Sequence, residues 1–224
     1  HPRVRRQRQM CIRDRTTLLC LGDSITDCGR ILQTPPLGNG YVKQLWDQLS
    51  PFSPDLQIIN KGIDGFTISR LLQNTDSYLA LKPQIITILI GINDIGLMMN
   101  TCRTSALQEQ MMNRFSRDYD QLLEQLYSPH RQIILMEPFV FPWPAHYRLW
   151  IPYVRQMSSM IQEIAHTRRL TYILLQDELN QAALRYGIDQ LTTDGIHLTC
   201  TGHHLIASKL CDTLYDTAAQ IHRD

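Results

Sequence analysis

A chain of 224 residues, 43% hydrophobic and 19% charged, carries enough apolar side chain for one well-buried domain and leaves little room for a second. Its longest apolar run, residues 85–92, is interrupted by Thr87 and Gly91 and is far too short to cross a bilayer, so no membrane span is expected. The formal net charge of +1 misleads about partners: outside the first fifteen residues, 16 basic side chains face 20 acidic ones, a balance of about −4.

Residues 1–15 read as a basic tail, disordered or foreign to the domain, because Arg3, Arg5, Arg6, Arg8, Arg13 and Arg15 stand against Asp14 alone and the stretch has no apolar period. No secretory signal is expected, since Met10-Cys11-Ile12 is followed at once by Arg13-Asp14-Arg15. A nucleic-acid-binding arm would have this composition too, but the acidic domain behind it gives no reason to expect a nucleic-acid partner. The six cysteines, Cys11, Cys20, Cys28, Cys102, Cys200 and Cys211, are scattered without a C-x-x-C pair, which fits reduced thiols in the cytoplasm.

From residue 16 onward the domain runs to 224, with short apolar runs alternating with stretches of helical period. Residues 17–21 read as a first strand and 41–49 as a helix, then strand 56–60 and helix 67–81, strand 84–90 and helix 105–127. Strand 132–136 and helix 149–168 follow, then strand 171–175 and a last helix, 203–219. Five strands separated by helices imply an α/β fold with a parallel sheet, because a parallel connection needs a crossover. In such sheets ligands bind beyond the carboxyl ends of the strands.

Polar or flexible residues do stand where strands stop: Gly22-Asp23-Ser24, Asn60-Lys61-Gly62 and Gly91-Ile92-Asn93-Asp94. Before the last helix comes Asp194-Gly195-Ile196-His197, a carboxylate three residues ahead of an imidazole. A serine hydroxyl needs a base to take its proton and a group to orient that base, and His197 and Asp194 can supply both to Ser24. Attack on an ester also creates an oxyanion, for which the N–H of Ser24, the N–H of Gly62 and the carboxamide of Asn93 are candidate donors. Taken singly, Ser24 reads equally as a loop or cap residue, Gly62 as a turn residue, Asn93 or Asp94 as a helix cap and His197 as a surface histidine.

Together, Gly22-Asp23-Ser24, Gly62 within Asn60-Lys61-Gly62-Ile63-Asp64-Gly65, Gly91-Ile92-Asn93-Asp94 and Asp194-x-x-His197 resemble the four ordered blocks of the SGNH (GDSL-type) hydrolase superfamily. The resemblance spans roughly residues 18–210. It implies a three-layer α/β/α sandwich with a five-stranded parallel sheet of flavodoxin-like type, Ser24 as nucleophile with Asp194 and His197, oxyanion donors at Ser24, Gly62 and Asn93, and no metal or organic cofactor.

A closer likeness is to the intracellular acetylxylan esterases, carried by Gly22-Asp23-Ser24-Ile25-Thr26-Asp27-Cys28-Gly29-Arg30, Leu37-Gly38-x-Gly40-Tyr41-Val42, Asn60-Lys61-Gly62-Ile63 and Ile90-Gly91-Ile92-Asn93-Asp94. It implies hydrolysis of acetyl esters on xylo-oligosaccharides, assembly into a homo-oligomer, and Asp23, Arg30 and Tyr41 near the substrate. Two departures touch the acyl pocket: Ile95-Gly96 stands where those esterases usually carry Trp, and Leu198 stands where they carry proline. Trp143 and Trp150, in an aromatic stretch after the fourth strand, are candidates to stack on a sugar or to pack the loop on the domain. A lysophospholipase or thioesterase, and a catalytically silent carbohydrate-binding protein on the same fold, are the alternatives.

Overall fold

The computed structural model describes residues 16–101 and 104–221, with side chains through 216; the predicted tail 1–15 and Cys102 lie outside the described residues. The strands are β1 (Thr17–Gly22), β2 (Gln57–Gly62), β3 (Ile85–Leu89), β4 (Gln132–Met136) and β5 (Thr171–Ile173). They form one wholly parallel sheet in the order β2-β1-β3-β4-β5. Leu18, Leu19, Cys20 and Leu21 of β1 are all completely buried, as are Ile86 and Ile88 of β3. A parallel sheet is covered on both faces, so its strands read as continuous apolar runs and not as alternation.

The long helices pack in two groups. Helix α2 (Tyr41–Leu49) lies against the terminal helix α9 (Cys200–Ile221), while α3 (Ile68–Gln73), α5 (Ile92–Asn100), α6 (Ser105–Leu126) and α7 (Ile151–Arg168) pack among themselves. Strand β1 has β2 on one side and β3 on the other, so the chain reverses direction across the sheet there, and a crevice opens beyond the ends of β1 and β3. Among the described residues no helix is long and apolar enough to cross a membrane.

Three differences from the expected elements have local causes. The helix expected over 67–81 is two, α3 and α4 (Thr75–Leu79), broken at Asn74, whose φ of −105° and ψ of 9° are not helical. The Asn74 amide donates to the Arg70 carbonyl, Thr75 Oγ1 to the Leu72 carbonyl and Ser77 Oγ to the Asn74 carbonyl, so short polar side chains compete for the helix's own acceptors. Strand β5 stops at Ile173 because the N–H groups of Leu175 and Gln176 turn to the Glu137 carboxylate and start a helix, α8 (Gln176–Tyr186). Helix α5 and the one-turn helix α1 (Ser24–Asp27) start within three residues of the ends of β3 and β1, in segments read as strand ends and not as helices.

The junction of α2 and α9 is sealed by His203. Gly40, the residue capping α2, has no side chain to offer, and the Tyr41 N–H donates instead to Nδ1 of His203 at 3.2 Å. The two rings stack with centroids 6.4 Å apart, and His203 Nε2 lies 3.5 Å from the Cys28 sulfur. An accepting Nδ1 requires the neutral ring. Burial, and secondarily the charge of His197, push the His203 pKa down from 6.5 to about 4. A histidine held below its unfolded pKa contributes stability at neutral pH that is lost as pH falls from 6.5 through 4. His203→Gln keeps an acceptor for Tyr41 without the titration. Its melting temperature should therefore drop less than the parent's between about pH 7 and pH 4.5; equal drops would show that this ring does not govern the acid limb.

Candidate active site

The end of β1 is packed too tightly for a side chain: a Cβ on Gly22 would collide with Thr26 Oγ1 and come against the Leu89 carbonyl. Asp23, the next residue, is 1% exposed and caps α1, its carboxylate accepting from the Ile25 N–H at 3.0 Å. Ser24 opens that helix, with its hydroxyl turned to the crevice. Its Oγ lies 2.9 Å from Nε2 of His197, and Nδ1 of the same ring lies 2.6 Å from Oδ2 of Asp194.

The turn carrying the acid and the imidazole is shaped by its own backbone. Asp194 Oδ1 accepts from the N–H groups of Ile196 at 2.9 Å and His197 at 2.8 Å, so both carboxylate oxygens are engaged. Thr192, 2% exposed, donates its hydroxyl to the His197 carbonyl at 2.7 Å and accepts from the Gly195 N–H at 2.8 Å. Partial burial raises the Asp194 pKa, but the bonds from the imidazole and the two N–H groups outweigh it, and the carboxyl is held below its usual range. A carboxylate kept ionised beside Nδ1 fixes Nε2 as the atom able to take a proton from Ser24.

Ser24 and His197 border a cavity of about 350 Å³ that also touches Asp27, Asp64, Ile31 and Leu32. Ile31 and Leu32 are 76% and 80% exposed and form an apolar lip. The Asn93 amide donates one hydrogen to the Phe66 carbonyl at 3.0 Å, which orients the carboxamide and leaves its second hydrogen for a ligand. Among the described residues the N–H groups of Ser24 and Gly65 have no protein acceptor. Gly65 follows Asp64 with φ of +72° and open space around it.

Gly62 does not keep the place expected of it. Its N–H donates to Asn60 Oδ1 at 2.8 Å, and a Cβ there would collide with the Asp27 backbone, so it packs β2 under α1 instead of facing the cavity. Three expected substrate contacts are likewise structural. Asp23 is the buried cap; Tyr41 is fully buried, its hydroxyl 3.0 Å from Thr26 Oγ1; Trp150 is 7% exposed, against Gly96 and edge-on to Tyr147 at 4.7 Å. Arg30 donates its Nε to the Gly62 carbonyl at 2.6 Å and stands 3.7 Å from Asp27, tying the Arg30–Leu32 turn to the end of β2. Trp143 alone of the expected aromatics is open, at 45% exposure.

Sequence reasoning missed Thr192 and Gly65, and read Asp94 only as a possible helix cap. Asp94 accepts from the Ile68 N–H at 3.2 Å and fixes the start of α3 beside Asn93. Burial pushes both Asp94 and Asp23 up to about 7, and the charge of Asp23 adds to the rise at Asp94. Among the described residues no group of three His, Cys, Asp or Glu side chains is placed to hold a metal ion.

Residues 20–205 match the GDSL-like lipase/acylhydrolase family. An acetylxylan esterase from Geobacillus stearothermophilus is 28% identical over 205 residues, covering 85% of this chain and 90% of its own. The crystal structure of a catalytic mutant of an acetylxylan esterase from that organism superposes with a TM-score of 0.78 at 25% identity, over 91% of this chain and 95% of the other. An alpha/beta hydrolase from the metagenome of Lake Arreo, Spain, shares the fold with a TM-score of 0.77 at 23% identity, covering 90% and 95% of the two chains. The chain thus belongs to the GDSL-like lipase/acylhydrolase family and is a carboxylic ester hydrolase with the SGNH fold.

Proposed function

We propose that this esterase removes small acyl groups, acetyl above all, from carbohydrates such as acetylated xylo-oligosaccharides, with Ser24 as nucleophile, His197 as base and Asp194 as the group that orients it. The observation that carries the reading is the unbroken line from Ser24 Oγ through the imidazole to Asp194, with steps of 2.9 and 2.6 Å. The acetylxylan esterase named among the relatives supports the substrate class.

In this mechanism Ser24 Oγ bonds to the acyl carbon as its proton passes to His197 Nε2, and the carbonyl electrons move onto oxygen. The Ser24 and Gly65 N–H groups and the free Asn93 amide hydrogen receive that oxyanion; Gly65 takes the role expected of Gly62. The tetrahedral adduct collapses, the sugar oxygen leaves with the proton from Nε2, and an acyl-serine remains. Water then gives its proton to Nε2 and attacks, and acetate departs as Oγ regains the proton. The cavity of about 350 Å³ is open along one side, which suits a leaving group larger than the acyl group.

The exposed Ile31 and Leu32 favour a second reading, a long acyl chain laid on the apolar lip, as a lysophospholipase or thioesterase would need. Rates on p-nitrophenyl esters of increasing chain length separate the two: a steep fall beyond acetate supports the sugar esterase and a rise supports the lipid reading. Ser24→Ala should lower kcat/KM by at least about 1,000-fold without altering the melting temperature. Undiminished hydrolysis by that folded variant would falsify the nucleophile assignment. Asn93→Ala should lower kcat by about 100- to 1,000-fold with KM little changed, as loss of one oxyanion donor does; a change confined to KM would place Asn93 outside the oxyanion site.

A further inference from the structure

The Asp194–His197 turn rests on a buried polar assembly that plays no part in the chemistry proposed above. Glu137, at the carboxyl end of β4 and 7% exposed, takes the Leu175 and Gln176 N–H groups on Oε2 at 2.7 and 2.8 Å and the Ser158 hydroxyl on Oε1 at 2.5 Å. Gln176, 5% exposed, is thereby fixed at the start of α8 with its side chain pointing back across the sheet end. Its amide grips Val140 from both directions: Oε1 accepts from the Val140 N–H and Nε2 donates to the Val140 carbonyl, each at 3.0 Å. The next N–H in the chain, that of Phe141, donates to the Gly195 carbonyl at 2.9 Å, between the acid and the imidazole.

Gly195 is itself packed closely on the 141–147 segment. Its φ is +98°, and a Cβ on it would collide with the Trp143 carbonyl oxygen and meet the Tyr147 ring at 2.8 Å. The turn is therefore pressed on the 141–147 segment by close packing, and its height over that segment is set by one hydrogen bond from Phe141. Asp194 and His197 are themselves about half exposed, so little else surrounds them.

We propose that Gln176 is a positioning residue for the Asp194–His197 turn: by holding both backbone polar groups of Val140 it keeps the Phe141 N–H on the Gly195 carbonyl, and so sets where the imidazole meets Ser24. The proposal rests on the Ser24–His197–Asp194 reading for its kinetic consequence, but its structural consequence does not. Gln176 touches no reacting atom. Loss of its grip lets the turn shift, and a displacement of about 1 Å at such a distance can cost on the order of 100-fold in rate.

The test is Gln176→Met, which keeps the length of the side chain and removes both bonds to Val140, along with a 3.3 Å bond to the Asn180 side chain. At temperatures where the variant is folded by circular dichroism, kcat on p-nitrophenyl acetate should fall 10-fold or more with KM within about threefold. The downfield imidazole N–H resonance of the His197–Asp194 pair should broaden or shift. A merely structural role would move the melting temperature alone; kcat within twofold of the parent and an unchanged resonance would overturn the proposal. Should the methionine variant fail to fold, Gln176→Glu keeps the shape and the bond from the Val140 N–H, and the same two readouts apply to it. In the unsubstituted protein the Phe141 amide should exchange with solvent as slowly as the β4 amides; exchange as fast as that of an exposed loop overturns the brace whatever the variants do. If Ser24→Ala leaves activity intact while the resonance responds to Gln176→Met, the nucleophile reading fails and the brace stands; the opposite pattern fails only the brace.

Discussion

The structure depends on one contact made across 173 residues of chain, the 2.9 Å approach of His197 Nε2 to Ser24 Oγ. Neither side chain reaches the other by local geometry. Ser24 is delivered by β1, the central strand of the first half, whose four leucine and cysteine side chains are wholly buried and cannot slide without exposing them. His197 is delivered from the far end of the chain, on a turn just before α9, and α9 is locked to α2 through His203 and Tyr41. The sheet fixes one partner and the α2–α9 junction fixes the other, so packing distant from the cavity decides a distance inside it.

Burial acts on three carboxyls around this contact with different results. Asp194 is half exposed and receives three hydrogen bonds, so it stays low and charged. Asp23 and Asp94 each receive backbone N–H bonds too, but they are buried near one another, and desolvation prevails; both rise to about 7. The division matches their positions. Asp23 and Asp94 hold helix starts, where a neutral or a charged oxygen serves as an acceptor, whereas the oxygen beside Nδ1 of His197 must be charged if the ring is to gain a proton.

The parts of the fold legible in sequence were those whose burial leaves a one-dimensional trace. Each of the five strands shows as an apolar run because a parallel sheet hides both faces, and the ends differ from expectation by one or two residues only. Helices α1, α5 and α8 were not read: each begins within three residues of a strand end, on residues answering to the site or to Glu137. At the site, Ser24, Asp194 and His197 could be singled out because the chemistry expected of them restricts them to a few residue types, and the structure brings the three side chains together. The two glycines of Asn60-Lys61-Gly62-Ile63-Asp64-Gly65 are identical in sequence terms, and only the partner of each N–H separates them, Asn60 for Gly62 and none for Gly65. Tyr41, expected near the substrate from the esterase likeness, is instead a core residue, its hydroxyl satisfied by Thr26.

The exposure of Asp194 and His197 explains why so much of the surrounding structure is backbone-directed. A carboxylate–imidazole contact at roughly half exposure contributes about 0–1 kcal/mol even as a full ion pair and cannot by itself hold two side chains in register. Orientation must come from bonds that persist regardless of protonation, and the turn has them: two N–H groups on Asp194 Oδ1, the Thr192 hydroxyl on the His197 carbonyl, and the Phe141 N–H on the Gly195 carbonyl. Close packing adds a second link: the Trp150 ring, coming from the start of α7, lies 3.2 Å from where a Cβ on Gly96 of α5 would be. Trp150 in turn abuts Tyr147, and Tyr147 abuts Gly195. Rings supplied by the 141–150 segment thus link the helix bearing Asn93 to the turn bearing His197, so that a change of packing at one is felt at the other.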